Sequence, residues 1–386
     1  MRRKTFFRKT LKAIFRPREI VITIVAFMLI GLLRFVAIRL DVFNPIARAV
    51  QGFSTTDIFY DMMMASPADT SDVIVIVDIT KLHDRDSIAT IIEEVDALAP
   101  AAIDIDVVFE YPKEPNGDLH LVNVAATLSN AVFSFKMMDP DPEHKEFTRQ
   151  AHSFFAEELG LKEGFVNVDR SMTRNIPLCL EMKGKAYPSV VACMMEVLQG
   201  KPFDYQQAKS KPIDYEPTIF RIIPYDSIQH NAQYITGHVV MLGGAYESID
   251  MLYTPLGQMH GIKVLCYAMK TMLDMKHQIN CEGLLYWFLT ILLSYIGVCW
   301  IMAYKDMAKG MGENIIGDSL RTIFITSVVV CLFMAVYITI AFFLFTKWRI
   351  NFDLTPTLAV MALTTTAADI IHITAKHLVK EPTYYI

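Results

Sequence analysis

Residues 239–273 read VVMLGGAYESIDMLYTPLGQMHGIKVLCYAMKTML, and the reading of this stretch decides the fold. VVML is a short apolar run closed by Gly243 and Gly244, which fits a strand covered on both faces. A loop carrying Asp250 and then Thr254-Pro255-Leu256-Gly257 is predicted next, followed by a helix from near Gly261. Soon after that helix the chain turns strongly apolar. One segment therefore holds the last core strand of a folded domain, a candidate ligand loop and the connection to lipid.

Upstream, strand and helix patterns alternate. The runs VIVIVDI (73–79), AAIDIDVVF (101–109) and AVFSFK (131–136) read as strands, and 88–98 and 119–128 have helical spacing. This alternation predicts an α/β domain, a βαβ sheet with helices on both faces. A hairpin region is inserted before the sheet is completed. It comprises a helix over 145–159, a short strand over 164–168, and a hairpin of 176–182 with 185–189 turning at Lys183-Gly184. A helix over 190–198 and a polar surface excursion over 200–217 follow, and 220–223 returns to the core.

The hydrophobic fraction of 53% exceeds what one soluble domain needs. The excess lies in apolar segments at 20–38, 283–304, 322–345 and 354–375, which predict four transmembrane α-helices. Residues 1–19 carry Arg2, Arg3, Lys4, Arg8, Lys9, Lys12, Arg16 and Arg18, which hold the N-terminus in the cytoplasm. The first apolar run is too long for a signal-peptide core, so it reads as an uncleaved span. The predicted layout is then an amphipathic linker at 39–67 and a periplasmic domain at 68–282. A cytoplasmic loop at 305–321, a periplasmic loop at 346–353 and a cytoplasmic tail at 376–386 complete it. That layout predicts a multi-pass protein of a bacterial inner membrane. Ser54 or Thr55 would cap the linker helix.

The net charge of −5 is mild, and no basic stripe calls for nucleic acid. Cys179, Cys193, Cys266 and Cys281 would face an oxidising compartment. Three of them lie in apolar runs, which favours buried thiols over bridges, and their disulfide state stays open. No spacing matches a metal site, no cofactor motif is present, and P-loop, H-E-x-x-H and G-x-S-x-G motifs are absent. Asp104 and Asp106 form a D-I-D whose carboxylates share one strand face, a pattern also met in phosphatases. No acidic pair downstream completes a metal site, so the pair reads as a polar end of the sheet and no catalytic residue is expected.

Ligands of open α/β sheets sit beyond the carboxyl ends of the strands. That rule selects Asp78, Thr80, Asp106, Gly243, Gly244 and Asp250 as ligand-binding candidates. In the last apolar segment Thr365, Asp369, His372 and Lys376 share one helical face. They are expected to contact a partner within the membrane.

These stretches together resemble the type-two CHASE domain, an extracytoplasmic sensor of bacterial membrane receptors. The resemblance rests on VIVIVDI, AAIDIDVVFEYP, GFVNVDRSMTRNIPLCL with KAYPSVVACMM, and GHVVMLGG…ID…TPLGQMHGIKV. The family commonly continues past TPLG to a His-Ala-Asn or His-Ala-Gln, where Leu265-Cys266-Tyr267 stands here. The resemblance implies a sensor or signal-transducing subunit that binds a small ligand or an envelope protein. Such receptors usually continue into a kinase or cyclase. With only residues 376–386 after the last span, the output is expected from a separate membrane or cytoplasmic signalling protein, and a homo-oligomer is a further possible partner. The alternative is a non-enzymatic structural subunit of an envelope complex.

Overall fold

The computed structural model describes residues 16–39, 55–64, 68–140, 147–168, 172–205, 209–246, 250–274, 279–280, 283–308, 315–351 and 355–379. The chain divides into two compact units, Met1–Thr55 with Ile279–Ile386, and Thr56–Gln278.

In chain order the elements begin with α1 (Pro17–Arg39), which belongs to the first unit. The second unit runs α2 (Thr55–Met63), β1 (Asp69–Asp78), α3 (Arg85–Asp96), β2 (Ala102–Ile105), α4 (Pro115–Thr127), β3 (Ala131–Pro140), β4 (Phe147–Ala151), α5 (Ala156–Leu159) and β5 (Glu163–Phe165). It continues through β6 (Asn175–Pro177), β7 (Cys179–Met182), β8 (Lys185–Pro188), α6 (Val190–Gln199), β9 (Ser210–Pro212), β10 (Thr218–Pro224), β11 (Val239–Gly243), β12 (Met251–Thr254), β13 (Gly257–His260) and α7 (Gly261–Leu273).

The main sheet has the order β10-β1-β11-β2-β3-β4, with β5 also paired to β3. All its ladders are parallel except β3 with β4. The run VVML is therefore a central strand, flanked by β1 and β2, and each of its residues is buried. Alternation along the strands sends Val75, Val77, Ile103, Ile105, Val240 and Leu242 to one face. There they meet Ile88, Ile92 and Val95 of α3 and Leu121 and Val124 of α4. The opposite face carries Asp104 and Gly243 toward α7, where Ile262 stands against Gly243.

Local chemistry sets the helix ends. Asp84 caps α3 by accepting a hydrogen bond from the Ser87 N–H at 2.8 Å. Ser189 caps α6 in the same way, accepting from the Ala192 N–H at 3.2 Å, and Gly200 ends that helix in the left-handed region at φ 62°. The β7–β8 hairpin turns at Lys183 and Gly184, both at positive φ, as the two-residue turn requires.

Three expectations are corrected. Residues 145–159 are not one helix: 147–151 form β4, and among the described residues of this span only Ala156–Leu159 is helical. The far half of β3 offers an edge for pairing, Lys136 opposite Ala151, and that partnership outweighs the helical spacing of Phe154, Phe155 and Leu159. The segment after Asp250 is not an open loop but the β12–β13 hairpin, with Gly257 at φ 93° and the Thr254 hydroxyl donating to the Gly257 carbonyl at 2.8 Å. The excursion over 200–217 is anchored in its second half. Ile213 and Tyr215 are fully buried, and the Tyr215 hydroxyl donates to the Thr173 carbonyl at 2.6 Å. The linker helix α2 packs on the same unit. Its Tyr60 ring meets Tyr215 edge-on at 5.9 Å, and its Asp57 pairs with Arg174. Ser54 lies outside the described residues.

Gly164 sits where β5 crosses the start of α6, and a Cβ there would overlap the backbone of Ser189 and Val190. Gly164→Ala is expected to destabilise the second unit by about 2 kcal/mol through overpacking. That corresponds to a melting point lower by about 4–8 °C for a unit of this size. An unchanged thermal melt of the full chain in detergent would rule out the close approach.

The first unit contains α1, β14 (Ile279–Asn280), α8 (Leu284–Ala308), α9 (Ile315–Trp348), β15 (Ile350–Asn351) and α10 (Thr355–Val379). Ile22 and Ala26 of α1, Val298 and Met302 of α8, and Val360, Ala367 and Ala368 of α10 form its core. β14 and β15 pair in parallel. Among the described residues three segments are long and apolar enough to cross a membrane: Leu284–Ala303, Cys331–Trp348 and Pro356–Ala375. Four spans are expected from the sequence, and these three meet the length and apolarity needed. α9 starts at Ile315, inside the expected loop at 305–321, and its 34 residues extend for about 51 Å, longer than a bilayer core.

Candidate functional site

A cleft opens in the second unit beyond the carboxyl ends of β2 and β5, beside the middle of β3. It holds about 590 Å³ of empty space open to solvent. Its polar lining is Asp106, Lys136, Asn167 and Asp250, with Gly261 at the start of α7, and Leu252, Val264 and Leu265 form an apolar wall.

Each charged group is placed by the backbone. Asp106 follows β2 directly, and its N–H donates to the Leu242 carbonyl at 2.9 Å, which continues the β2–β11 ladder by one residue. Gly243 makes room for it: a Cβ there would lie 3.1 Å from the Asp106 Cβ and 3.0 Å from Ile262 Cδ1. Lys136 comes from β3. The register Asp104↔Val132 puts Asp104, Asp106, Ser134 and Lys136 on one face of the two strands. Asp250 precedes the β12–β13 hairpin, and its carbonyl accepts the Gly261 N–H at 3.0 Å. Its carboxylate rests against Gly261, where any Cβ would collide with it. That position is the first turn of α7, where the helix dipole favours a negative charge. The α7 cap residue His260 makes no side-chain capping bond, so Asp250 is the acidic group at this end.

Behind Asp106, Asp104 is fully buried. Its Oδ1 accepts the Ser134 hydroxyl at 3.4 Å, and its Oδ2 has no hydrogen-bond partner. Burial first, and the neighbouring Asp106 charge second, hold its carboxyl well above the ordinary carboxylate range. Burial also pushes the Cys193 thiol up to about 12 and the Cys266 thiol well above its usual value, so both are poor nucleophiles. Cys179, Cys193 and Cys266 are free buried thiols, and Cys281 lies outside the described residues. Among the described residues no group of three His, Cys, Asp or Glu is disposed to hold a metal ion.

The sequence-selected ligand residues divide into two sets. Asp106 and Asp250 line the cleft, and Gly243 stands behind Asp106. Asp78 and Thr80 are joined elsewhere. The Asp78 carboxylate accepts from the Thr80 N–H at 3.1 Å, the Thr80 hydroxyl at 2.5 Å and the Ala245 N–H at 3.0 Å. The Thr80 hydroxyl accepts the Tyr246 N–H at 3.1 Å. These bonds tie the turn after β1 to the turn after β11, and Gly244 lies at that second turn, half-buried. Lys136 and Asn167 were missed. Lys136 ends the run AVFSFK that reads as a strand, so the strand-end rule that selected Asp106 could have found it, although β3 itself continues to Pro140. Asn167 bonds both ways to the Met137 backbone, accepting at 2.7 Å and donating at 2.9 Å, so its amide extends a ladder.

In α10 the expected partner stripe has an internal contact. Asp369 pairs with Lys305 of α8 at 2.9 Å. Thr365 is half-buried, His372 is exposed, and the Lys376 side chain lies outside the described residues.

Residues 22–303 match the family model of the CHASE2 domain. The chain belongs to the CHASE2 domain family. This family comprises extracytoplasmic sensor domains, and the matched span includes most of α1, the whole α/β unit and most of α8. No curated protein and no solved structure gives a significant match. Family membership and the three apolar segments after the domain together fit a sensory membrane protein.

Proposed function

We propose that this CHASE2 protein is a non-enzymatic sensor or signal-transducing subunit of a bacterial inner membrane. Its α/β domain lies outside the cytoplasm and takes a small ligand in the cleft beside α7. One observation carries this reading. Lys136 and Asp250 line the same cleft, and neither side chain has a hydrogen-bond or ion-pair partner among the described residues. Two opposite charges that face one cleft and are met only by solvent leave their hydrogen-bonding capacity to a ligand that carries both complementary charges. The cleft also adjoins α7, the last helix before the apolar segments. Ligand binding shifts an equilibrium only as far as it favours one arrangement over another, and a ligand touching both the sheet ends and α7 can do so. Crossing by α1 with a cytoplasmic N-terminus completes the layout, and output passes to a separate partner protein.

The test uses the full chain in detergent, melted in the presence of a periplasmic metabolite pool. A fraction that raises the melting point of the wild type, and not of Asp250→Asn, supports the reading. No stabilising fraction, together with a stoichiometric co-purifying envelope protein, would favour the structural-subunit role. Topology is tested independently. A reporter active only outside the cytoplasm should work when inserted at 204–205 and fail when fused after Ile386, and the reverse pattern would overturn the layout.

A further inference from the structure

The three ionisable groups of the cleft have mixed signs, which restricts the ligand. Asp106 and Asp250 lie toward β11 and α7, and Lys136 projects from β3 on the same face as Asp106. An anion entering the cleft meets Lys136 but also two carboxylates. A simple cation meets the carboxylates but leaves Lys136 uncompensated. The dipole of α7 gives an anion no further help, because Asp250 already occupies that helix end. The apolar wall of Leu252, Val264 and Leu265 has no charge to satisfy and suits a short side chain.

We propose that the cleft binds a small zwitterion of amino-acid type, its ammonium group toward Asp250 and Asp106 and its carboxylate toward Lys136. This inference rests on the proposed ligand-binding role of the cleft and names the ligand class. A carboxylate meeting an ammonium, and an ammonium meeting carboxylates, form charge-assisted hydrogen bonds, the stronger kind. Lys136 is exposed and holds no structural contact, so its replacement leaves the fold intact.

The experiment is titration calorimetry on the full chain in nanodiscs. The probes are L-alanine, L-leucine and L-glutamine, each beside its carboxamide, which lacks the carboxylate, and its deaminated acid, which lacks the ammonium. At least one amino acid is expected to bind, with both analogues weaker by at least tenfold. Lys136→Gln should weaken the amino acid by at least tenfold and leave its carboxamide unchanged, whereas Lys136→Arg should retain binding. Asp250→Asn should weaken the amino acid and the carboxamide and leave the deaminated acid unchanged. If a carboxamide or a deaminated acid binds as tightly as its amino acid, or Lys136→Gln has no effect, the zwitterion assignment fails. If none of the probes binds but the metabolite pool stabilises the protein through Asp250, the assignment again fails and the cleft keeps its ligand-binding role. If neither probes nor pool bind, both fall.

Discussion

Arg85→Met is expected to cost the α/β unit about 3 kcal/mol, the lower end for stranding one partner of a buried ion pair. The side chains of Arg85 and Asp118 are only 10% and 11% exposed, and they form a direct ion pair between α3 and α4. The guanidinium also donates to the Tyr111 carbonyl and lies 5.6 Å and 5.4 Å from the ring centroids of Phe109 and Phe154. Asp118 accepts in addition from the N–H groups of Lys113 at 2.7 Å and Glu114 at 2.9 Å. Methionine keeps apolar contact with the two rings, so the loss isolates the charge. For a unit of this size the melting point should fall by about 6–12 °C. Arg85→Met with Asp118→Asn should recover at least half of that, because an amide oxygen still accepts from the backbone without a stranded charge. Burial raises the Asp118 pKa, but the Arg85 and backbone bonds outweigh it and leave the folded value depressed. A depressed carboxylate contributes stability above its unfolded pKa and loses it as pH falls through the folded one. The difference between wild type and Arg85→Met should therefore shrink on acidification. A melting point unchanged at neutral pH would show that the pair contributes nothing.

Asp104→Asn is expected to stabilise the protein, and increasingly so as pH rises. The sign is opposite to that of Asp118. Burial, then the charge of Asp106, raise the folded pKa of Asp104, so between the unfolded and folded values the native state binds more protons. Stability from this group is fully present below the ordinary carboxylate range and declines as pH rises toward the folded value. The decline approaches about 1.4 kcal/mol per pH unit for a single group. Asparagine has no such ionisation and preserves the shape beside Ser134. Melting curves of the two proteins should coincide near pH 4 and diverge toward pH 8, the variant melting higher. Parallel curves, or a variant that melts lower at pH 8, would refute the reading of Asp104 as a buried carboxyl held protonated. Such a group weakens the domain where it stands, one alternation beneath Asp106 at the cleft.

The sequence by itself determined the repeating order of the α/β core. VIVIVDI, AAIDI and VVMLG are apolar almost without interruption because parallel strands are covered on both faces, and their pattern survives without knowledge of their neighbours. The same holds for the capped helix after Ser189, for the Lys183-Gly184 hairpin and for the three apolar segments, because caps, tight turns and bilayer thickness impose local rules. Asp106 and Asp250 were legible because both follow the carboxyl ends of strands, and strand ends are local features. What pairs with what was not. Residues 147–151 became a strand because β3 presents an edge, and Asp78 and Thr80 became a staple because the turn after β11 brings Ala245 and Tyr246 to them. Asp369 meets Lys305, sixty-four positions away, for a similar reason. Hydrogen bonds and ion pairs between segments distant in sequence leave no periodic trace in either segment. Only the tertiary structure could decide that Lys136 and Asp250, more than a hundred residues apart in sequence, share one cleft.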